Sequence, residues 1–141
     1  MTEHENSIHL LDTSAVLTLI EDEPGADRVE ELLRTETVLL PFVAGLETYY
    51  ITVWERGVDE AERRLFLLRQ LPARWLNVVD DAVLVTAGRF KAHGHLSLAG
   101  SLIAGFTAEA GAILVHKDPE YETLGAVRQE RLPYKNAPRR A

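Results

Sequence analysis

The sequence predicts an α/β domain, a three-layer sandwich in which a mostly parallel central sheet is flanked by helices on both faces. Three observations carry this. Short apolar runs of strand length recur along the chain, helical patterns separate them, and the runs lack the polar alternation of a sheet with one wet face. Repetition of β then α is the signature of a parallel sheet whose crossovers are helices.

The first strand is Ile8-His9-Leu10-Leu11, which stops abruptly at Asp12-Thr13-Ser14-Ala15. An apolar strand ending in a carboxylate and two hydroxyls is poor packing and good site-building, because open α/β sheets place their chemistry at the carboxyl ends of strands. Asp12 therefore reads as a ligand. The alternative is a helix cap, and Thr13 or Ser14 can serve in that role instead. Helical spacing follows over Val16 to Ile20 and again over Ala26 to Leu33, with a break near Glu23-Pro24-Gly25.

Val38 to Pro41 is a second strand. The helix from Val43 to Trp54 spaces Leu46, Tyr49, Tyr50, Val53 and Trp54 at three and four residues, which reads as a core face and a subunit contact, with Glu47 in its first turns. Gly57 ends it, and Asp59 to Leu71 forms a further amphipathic helix that Pro72 stops. Trp75 to Val79 is a third strand. Asp80 or Asp81 then caps a helix carrying Val83, Val85, Ala87 and Phe90.

His93-Gly94-His95 reads as a turn, since it lacks the spacing of a helical metal-ligand pair. Leu98 to Ala110 is a small-residue helix closed by Gly111, and Ala112 to Val115 is a fourth strand that leads to His116-Lys117-Asp118-Pro119. A last strand falls near Arg131-Leu132-Pro133. The boundaries that follow are a flexible N-terminus over 1–6, one domain over 7–134 and a basic tail over 135–141.

Composition narrows the function classes. The chain has 141 residues and no cysteine, so it offers no disulfide framework, thiolate nucleophile or cysteine-ligated zinc. Its start is polar and acidic and no apolar run reaches membrane-spanning length, which leads to the expectation of a cytoplasmic protein without a membrane partner. The net charge of −7 divides unevenly, with a balance of −12 over residues 1–62 and +5 over 63–141. A basic surface for phosphate contacts beside an acidic one is compatible with that division, as are two solvated helix faces.

The chemistry lies in acids from distant parts of the chain. Asp12 and Asp118 end the first and fourth strands, and parallel strands bring such ends to one edge of the sheet; Glu47 comes from the helix after the second strand. Clustered carboxylates repel one another, and a hard divalent cation, Mg2+ or Mn2+, best explains a persistent cluster. Such an ion would polarise a phosphodiester and generate a hydroxide nucleophile. Phosphate-binding help is expected from Lys117 or from arginines of the basic half. His116, two residues before Asp118, is expected at the pocket edge or against a phosphate.

The residues resemble the PIN-domain nucleases, and among them the toxin ribonucleases of VapBC toxin-antitoxin pairs, over about residues 8 to 134. The carriers are Leu10-Leu11-Asp12-Thr13-Ser14-Ala15, Val43-Ala44-Gly45-Leu46-Glu47, Leu96-Ser97-Leu98-Ala99 and Leu114-Val115-His116-Lys117-Asp118-Pro119-Glu120-Tyr121. The resemblance implies a PIN-like fold and a metal-dependent endoribonuclease that cleaves RNA, is usually a homodimer, and is inhibited by a cognate antitoxin. It also implies that Asp12, Glu47 and Asp118 bind or orient the metal, with Thr13 and the Ser14 hydroxyl in support.

One departure stands out: where such toxins carry an aspartate on the late helix, this chain has Gly100. Glycine costs about 1 kcal/mol relative to alanine inside a helix. The explanations are a natural degenerate member, a substitution that silences a toxic enzyme, or a glycine admitting close contact while another acid takes over. The pattern kept around Gly100 favours silencing. The alternative function is a catalytically degenerate module that binds RNA or an antitoxin without cleavage. Phosphatase and nucleotide-binding readings fail, because Ser14 stands where a second aspartate would be needed and no glycine-rich phosphate loop follows the first strand.

Overall fold

The computed structural model describes residues 7–134. The segments expected to be a flexible N-terminus, 1–6, and a basic tail, 135–141, lie outside the described residues. The element order is β1 (Ile8–Leu11), α1 (Thr13–Ile20), α2 (Ala26–Thr35), β2 (Thr37–Pro41), α3 (Phe42–Arg56), α4 (Val58–Gln70), β3 (Arg74–Leu76), α5 (Asp81–His93), α6 (Leu98–Ala110), β4 (Ile113–His116) and β5 (Gln129–Arg131), with a 3-10 turn at Pro119–Tyr121.

The five strands lie in the order β3-β2-β1-β4-β5, and every neighbouring pair is parallel. Successive strand residues point to opposite faces. Leu10, Leu39 and Leu114 join one core with Val83, Ile103, Ala104 and Phe106 from α5 and α6. Leu11, Leu40 and Val115 join a second with Val16, Val29, Leu32 and Leu68 from α1, α2 and α4. Two cores on one sheet are what make the sandwich three-layered.

This topology positions the site. From β1 the chain steps to β2 and β3 on one side and returns to place β4 on the other. The strand order therefore switches between β1 and β4, and a crevice opens there beyond their carboxyl ends.

Several boundaries differ from the sequence expectation. β3 stops at Leu76 because only Arg74, Trp75 and Leu76 pair with β2, after which the chain leaves the sheet and exposes Val78 to 74%. It then reaches Asp80, whose carboxylate accepts the Val83 N–H at 2.9 Å and caps α5. β5 is Gln129–Arg131, two residues earlier than expected, since its register is set by pairing of Val115 with Glu130.

The inner face of α3 also differs. Its buried residues are Val43, Ala44, Gly45, Thr48 and Thr52, whereas Leu46 is exposed and Trp54 is 77% exposed. Of the stripe expected as a core face and a subunit contact, Leu46 and Trp54 face outward and Tyr49, Tyr50 and Val53 are half-buried, because the small-residue stripe lets the helix approach the sheet closely. A Cβ on Gly45 would sit 2.7 Å from Cζ3 of Trp75.

Candidate functional site

Asp12 ends β1, and its backbone N–H donates to the Val115 carbonyl of β4 at 3.2 Å, so the two strand ends are stitched together at the acid. Asp12, and neither Thr13 nor Ser14, is the N-cap of α1: its Oδ1 accepts the Ala15 N–H at 2.8 Å and the Ser14 hydroxyl at 2.7 Å. Capping and site-building thus fall on one residue. Its residue exposure is 2%, and among the described residues Oδ2 has no hydrogen bond.

Burial pushes the Asp12 carboxyl up to about 7; the hydrogen bonds from Ser14 and Ala15 oppose the rise, and the nearby charges of Asp118 and Glu120 add to it. Asp12 and Asp118 are therefore neighbours, as parallel β1 and β4 require. The Asp118 carboxylate accepts the Glu120 N–H at 3.0 Å and so starts the 3-10 turn.

Glu47 comes from α3, where Oε1 accepts the Thr13 hydroxyl at 2.5 Å and Oε2 accepts the Tyr50 hydroxyl at 3.2 Å. Tyr121, from the turn after β4, is buried near these acids. Burial raises its hydroxyl pKa, and the charges of Asp12, Glu120, Asp118 and Glu47 raise it further.

The supporting residues divide. Ser14 bridges the two strand ends, since its oxygen also accepts the Lys117 N–H at 2.9 Å. His116 is buried; Nδ1 accepts the Asp118 N–H at 3.1 Å, which fixes Nε2 as the donor to Gln129 Oε1 at 2.8 Å. It packs edge-on to Tyr121, with ring centroids 4.9 Å apart, so it fills the pocket edge and sets the backbone of Asp118.

Lys117 corrects an expectation. Its ammonium donates to Glu23 at 3.3 Å and to the Pro24 carbonyl at 3.1 Å, and the residue is buried. A lysine so engaged pins the α1–α2 turn to β4 and does not present its charge to a phosphate.

Sequence reading missed Glu120. It lies beside the helix position that lacks an acid: its Oε1 accepts the Ser97 N–H at 2.8 Å, and a Cβ on Gly100 would meet that oxygen at 2.8 Å. Burial raises the Glu120 carboxyl; the Ser97 N–H opposes this and the Asp118 charge adds to it. The signal was present in Asp118-Pro119-Glu120, where a second acid follows the strand-end acid.

The donor chemistry suits a hard cation. Among the described residues, none of Asp12, Glu47, Asp118 and Glu120 is ion-paired to a lysine, arginine or histidine, so their charge is uncompensated. Oxygen-only donors are what Mg2+ and Mn2+ select. As they stand, however, no three acidic or histidine side chains among the described residues are assembled in a group able to hold one ion. Glu47 is drawn toward Thr13 and Tyr50, and Glu120 toward Ser97, so binding would have to draw these acids inward.

A five-stranded parallel sheet with an acid after each of the adjacent strands β1 and β4 defines the class of three-layer α/β domain, and a family comparison makes the assignment. The PIN domain model matches residues 9–127, and the chain belongs to that family. No curated protein matches it in sequence. Its fold is similar to VapBC2 from Rickettsia felis bound to a promoter DNA fragment, with TM-score 0.75 and 14% identity over 89% of this chain and 99% of that one. It is similar also to DNA-bound VapBC from Salmonella typhimurium, with TM-score 0.71 and 16% identity over 89% and 98%. VapC20 from Mycobacterium tuberculosis, a toxin that cleaves the sarcin-ricin loop, matches with TM-score 0.67 and 13% identity over 83% and 95%.

Proposed function

We propose that this chain is a divalent-metal-dependent endoribonuclease, the toxin of a toxin-antitoxin pair. The observation that supports the reading is that Asp12 and Asp118 follow the adjacent parallel strands β1 and β4 of a PIN fold, with Glu47 hydrogen-bonded to the neighbouring Thr13 and no basic ion-pair partner for any of the three among the described residues. Asp12, Asp118 and Glu47 would hold the ion, which supplies charge to polarise the scissile phosphate and to acidify an attacking water.

The chain's own residues prepare that site. Ser14 and the Ala15 N–H orient Asp12 through Oδ1 and leave Oδ2 directed elsewhere. His116 holds the backbone of Asp118, and Thr13 holds Glu47 within reach of the crevice. Leu11 and Val115, at the ends of β1 and β4, and Tyr121 are all buried.

An antitoxin protein is the partner that fits this reading, since similar folds are those of VapBC complexes. A homodimer acting in the cytoplasm completes it; among the described residues no helix is long and apolar enough to cross a membrane. A second reading, binding of RNA or antitoxin without cleavage, is favoured by Gly100 and by acids not yet gathered around a common point.

The test is incubation of the purified chain with total bacterial RNA in Mg2+, Mn2+ or EDTA, beside Asp12→Asn and Asp118→Asn. Cleavage that needs the metal and both aspartates is expected. RNA that is bound and left intact in either metal overturns the nuclease reading in favour of the second.

A further inference from the structure

A cavity of about 340 Å³ opens between the end of α5, the turn that precedes α6 and the segment that follows the 3-10 turn. Its size falls in the ~300–1,000 Å³ range of small-ligand sites. Arg89, Phe90, His93, His95 and Leu96 line one side, and residues 123–126 line the other. Among the described residues no carboxylate lines it, although the chain carries a net charge of −7.

Hydrogen bonds fix both walls. The Lys91 ammonium donates to the Leu96 carbonyl at 2.9 Å and ties the turn to α5. On the other side the Leu124 N–H donates to the Tyr121 carbonyl at 3.0 Å, and Gln129 Nε2 donates to the Leu124 carbonyl at 2.6 Å. The walls are joined where the Ser97 N–H donates to Glu120 Oε1 at 2.8 Å, so the cavity adjoins the turn that carries Asp118. Its rim groups are uncommitted. Arg28, Arg56, Arg63, Arg64 and Arg131 are each held by a carboxylate, whereas Arg89, His93 and His95 have no ion-pair partner among the described residues. Phenyl, imidazole and guanidinium planes are what unpaired RNA bases stack on, and a guanidinium also pairs with phosphate.

We propose that this cavity is a nucleotide-binding pocket, which seats one unpaired nucleotide of an RNA substrate with its base against Phe90 and the two histidines and its phosphate at Arg89. This rests on the RNA-cleaving reading above and goes beyond it by assigning a place where the substrate is held. Gly125 offers a way to close the pocket without touching its charges. It lies outside the positive-φ set, and an added Cβ meets nothing within 4 Å, so a larger side chain there has room to enter the cavity.

Two measurements on the full chain test the assignment, with folding followed by circular dichroism. In NMR titrations with AMP, GMP, CMP, UMP and inorganic phosphate, at least one nucleotide should shift the amides of residues 93–96 and 123–126 saturably. Phosphate alone should bind about tenfold more weakly, for want of a base to stack. In fluorescence anisotropy with a labelled single-stranded RNA in EDTA, Arg89→Gln, His95→Ala and Gly125→Leu should each weaken binding by about tenfold. In Mg2+ the same variants should raise KM by a similar factor with kcat close to that of the parent.

Equal affinity for phosphate and nucleotides makes the cavity a plain anion site and rejects the proposal. Nucleotide binding beside unchanged RNA affinity in all three variants assigns it to a free nucleotide and rejects it equally. If the variants keep the parent's RNA affinity and KM while Asp12→Asn abolishes cleavage, the pocket assignment falls and the nuclease reading stands. A parent that cuts no RNA in either metal overturns the nuclease reading alone, and the anisotropy in EDTA still decides the pocket. Should Gly125→Leu fold poorly, Arg89→Gln and His95→Ala decide, since both side chains are exposed.

Discussion

The Ser14 hydroxyl accepts the backbone N–H of Lys117 at 2.9 Å, and the same oxygen donates to Asp12 at 2.7 Å, so one side chain joins the ends of β1 and β4 and aims the acid between them. Ser14→Ala leaves a partly buried N–H without its acceptor and removes one of two donors from Asp12 Oδ1. A loss of roughly 1–3 kcal/mol is expected in urea denaturation. Because the Ser14 bond also opposes the rise in the Asp12 pKa, its removal should move that titration further up, as carboxyl-resolved NMR would show.

Asp12 makes the metal-free protein sensitive to pH. Burial raises its folded-state pKa from the ordinary 3.8 to about 7, so between those values the folded chain holds a proton that the unfolded chain releases. Its contribution to stability is complete below about pH 4 and is lost as pH rises through 7, a span worth on the order of 4 kcal/mol. Thermal melts in EDTA should show Asp12→Asn flattening the decline between pH 4 and 7.5. An identical slope in the variant rejects this account. Since a bound cation favours the ionised carboxylate, stabilisation by Mn2+ should be larger at pH 8 than at pH 5.5.

α3 packs through its small residues, and Gly45 is the tightest point, with an added Cβ 2.7 Å from the Trp75 ring. The indole cannot retreat easily, because the Arg69 guanidinium lies 4.2 Å from its ring centroid on the adjoining element. Gly45→Ala gains helix propensity and still should lose roughly 1–3 kcal/mol through overpacking. A variant as stable as the parent in guanidinium melts would mean that β3 shifts freely.

The sheet and its site edge were legible in the sequence because physics writes them locally. Leu10-Leu11-Asp12 announces a buried strand and the place where it stops, and Leu114-Val115 does so again before Asp118. The inner face of α3 was not legible, because Leu46, Tyr50 and Trp54 share the helical spacing of Gly45, Thr48 and Thr52. Hydrophobicity favoured the first stripe, whereas close approach over Gly45 selected the second. Glu120 was hidden for another reason: an acid two residues after Asp118 reads as part of a turn until its carboxylate is seen over Gly100. Lys117 misled because its sequence neighbours are site residues while its ammonium reaches back to Pro24.

Gln129 holds the last part of the site in place from β5. Its Oε1 accepts from His116 Nε2 at 2.8 Å, while its Nε2 donates to the Tyr121 carbonyl at 3.0 Å and the Leu124 carbonyl at 2.6 Å. One amide thereby ties the histidine that supports Asp118 to the segment that carries Tyr121. Gln129→Leu keeps the bulk but strands a buried N–H and two carbonyls, and a destabilisation of roughly 1–3 kcal/mol is expected. Gln129→Glu separates bonding from bulk. It retains the acceptor for His116 and loses the donors to both carbonyls, and its negative charge should pull the His116 pKa, now held down by burial, back upward. Histidine-resolved NMR titration of the two variants checks this: only the glutamate should raise the His116 pKa, and equal values in both would show that Gln129 does not govern that ring.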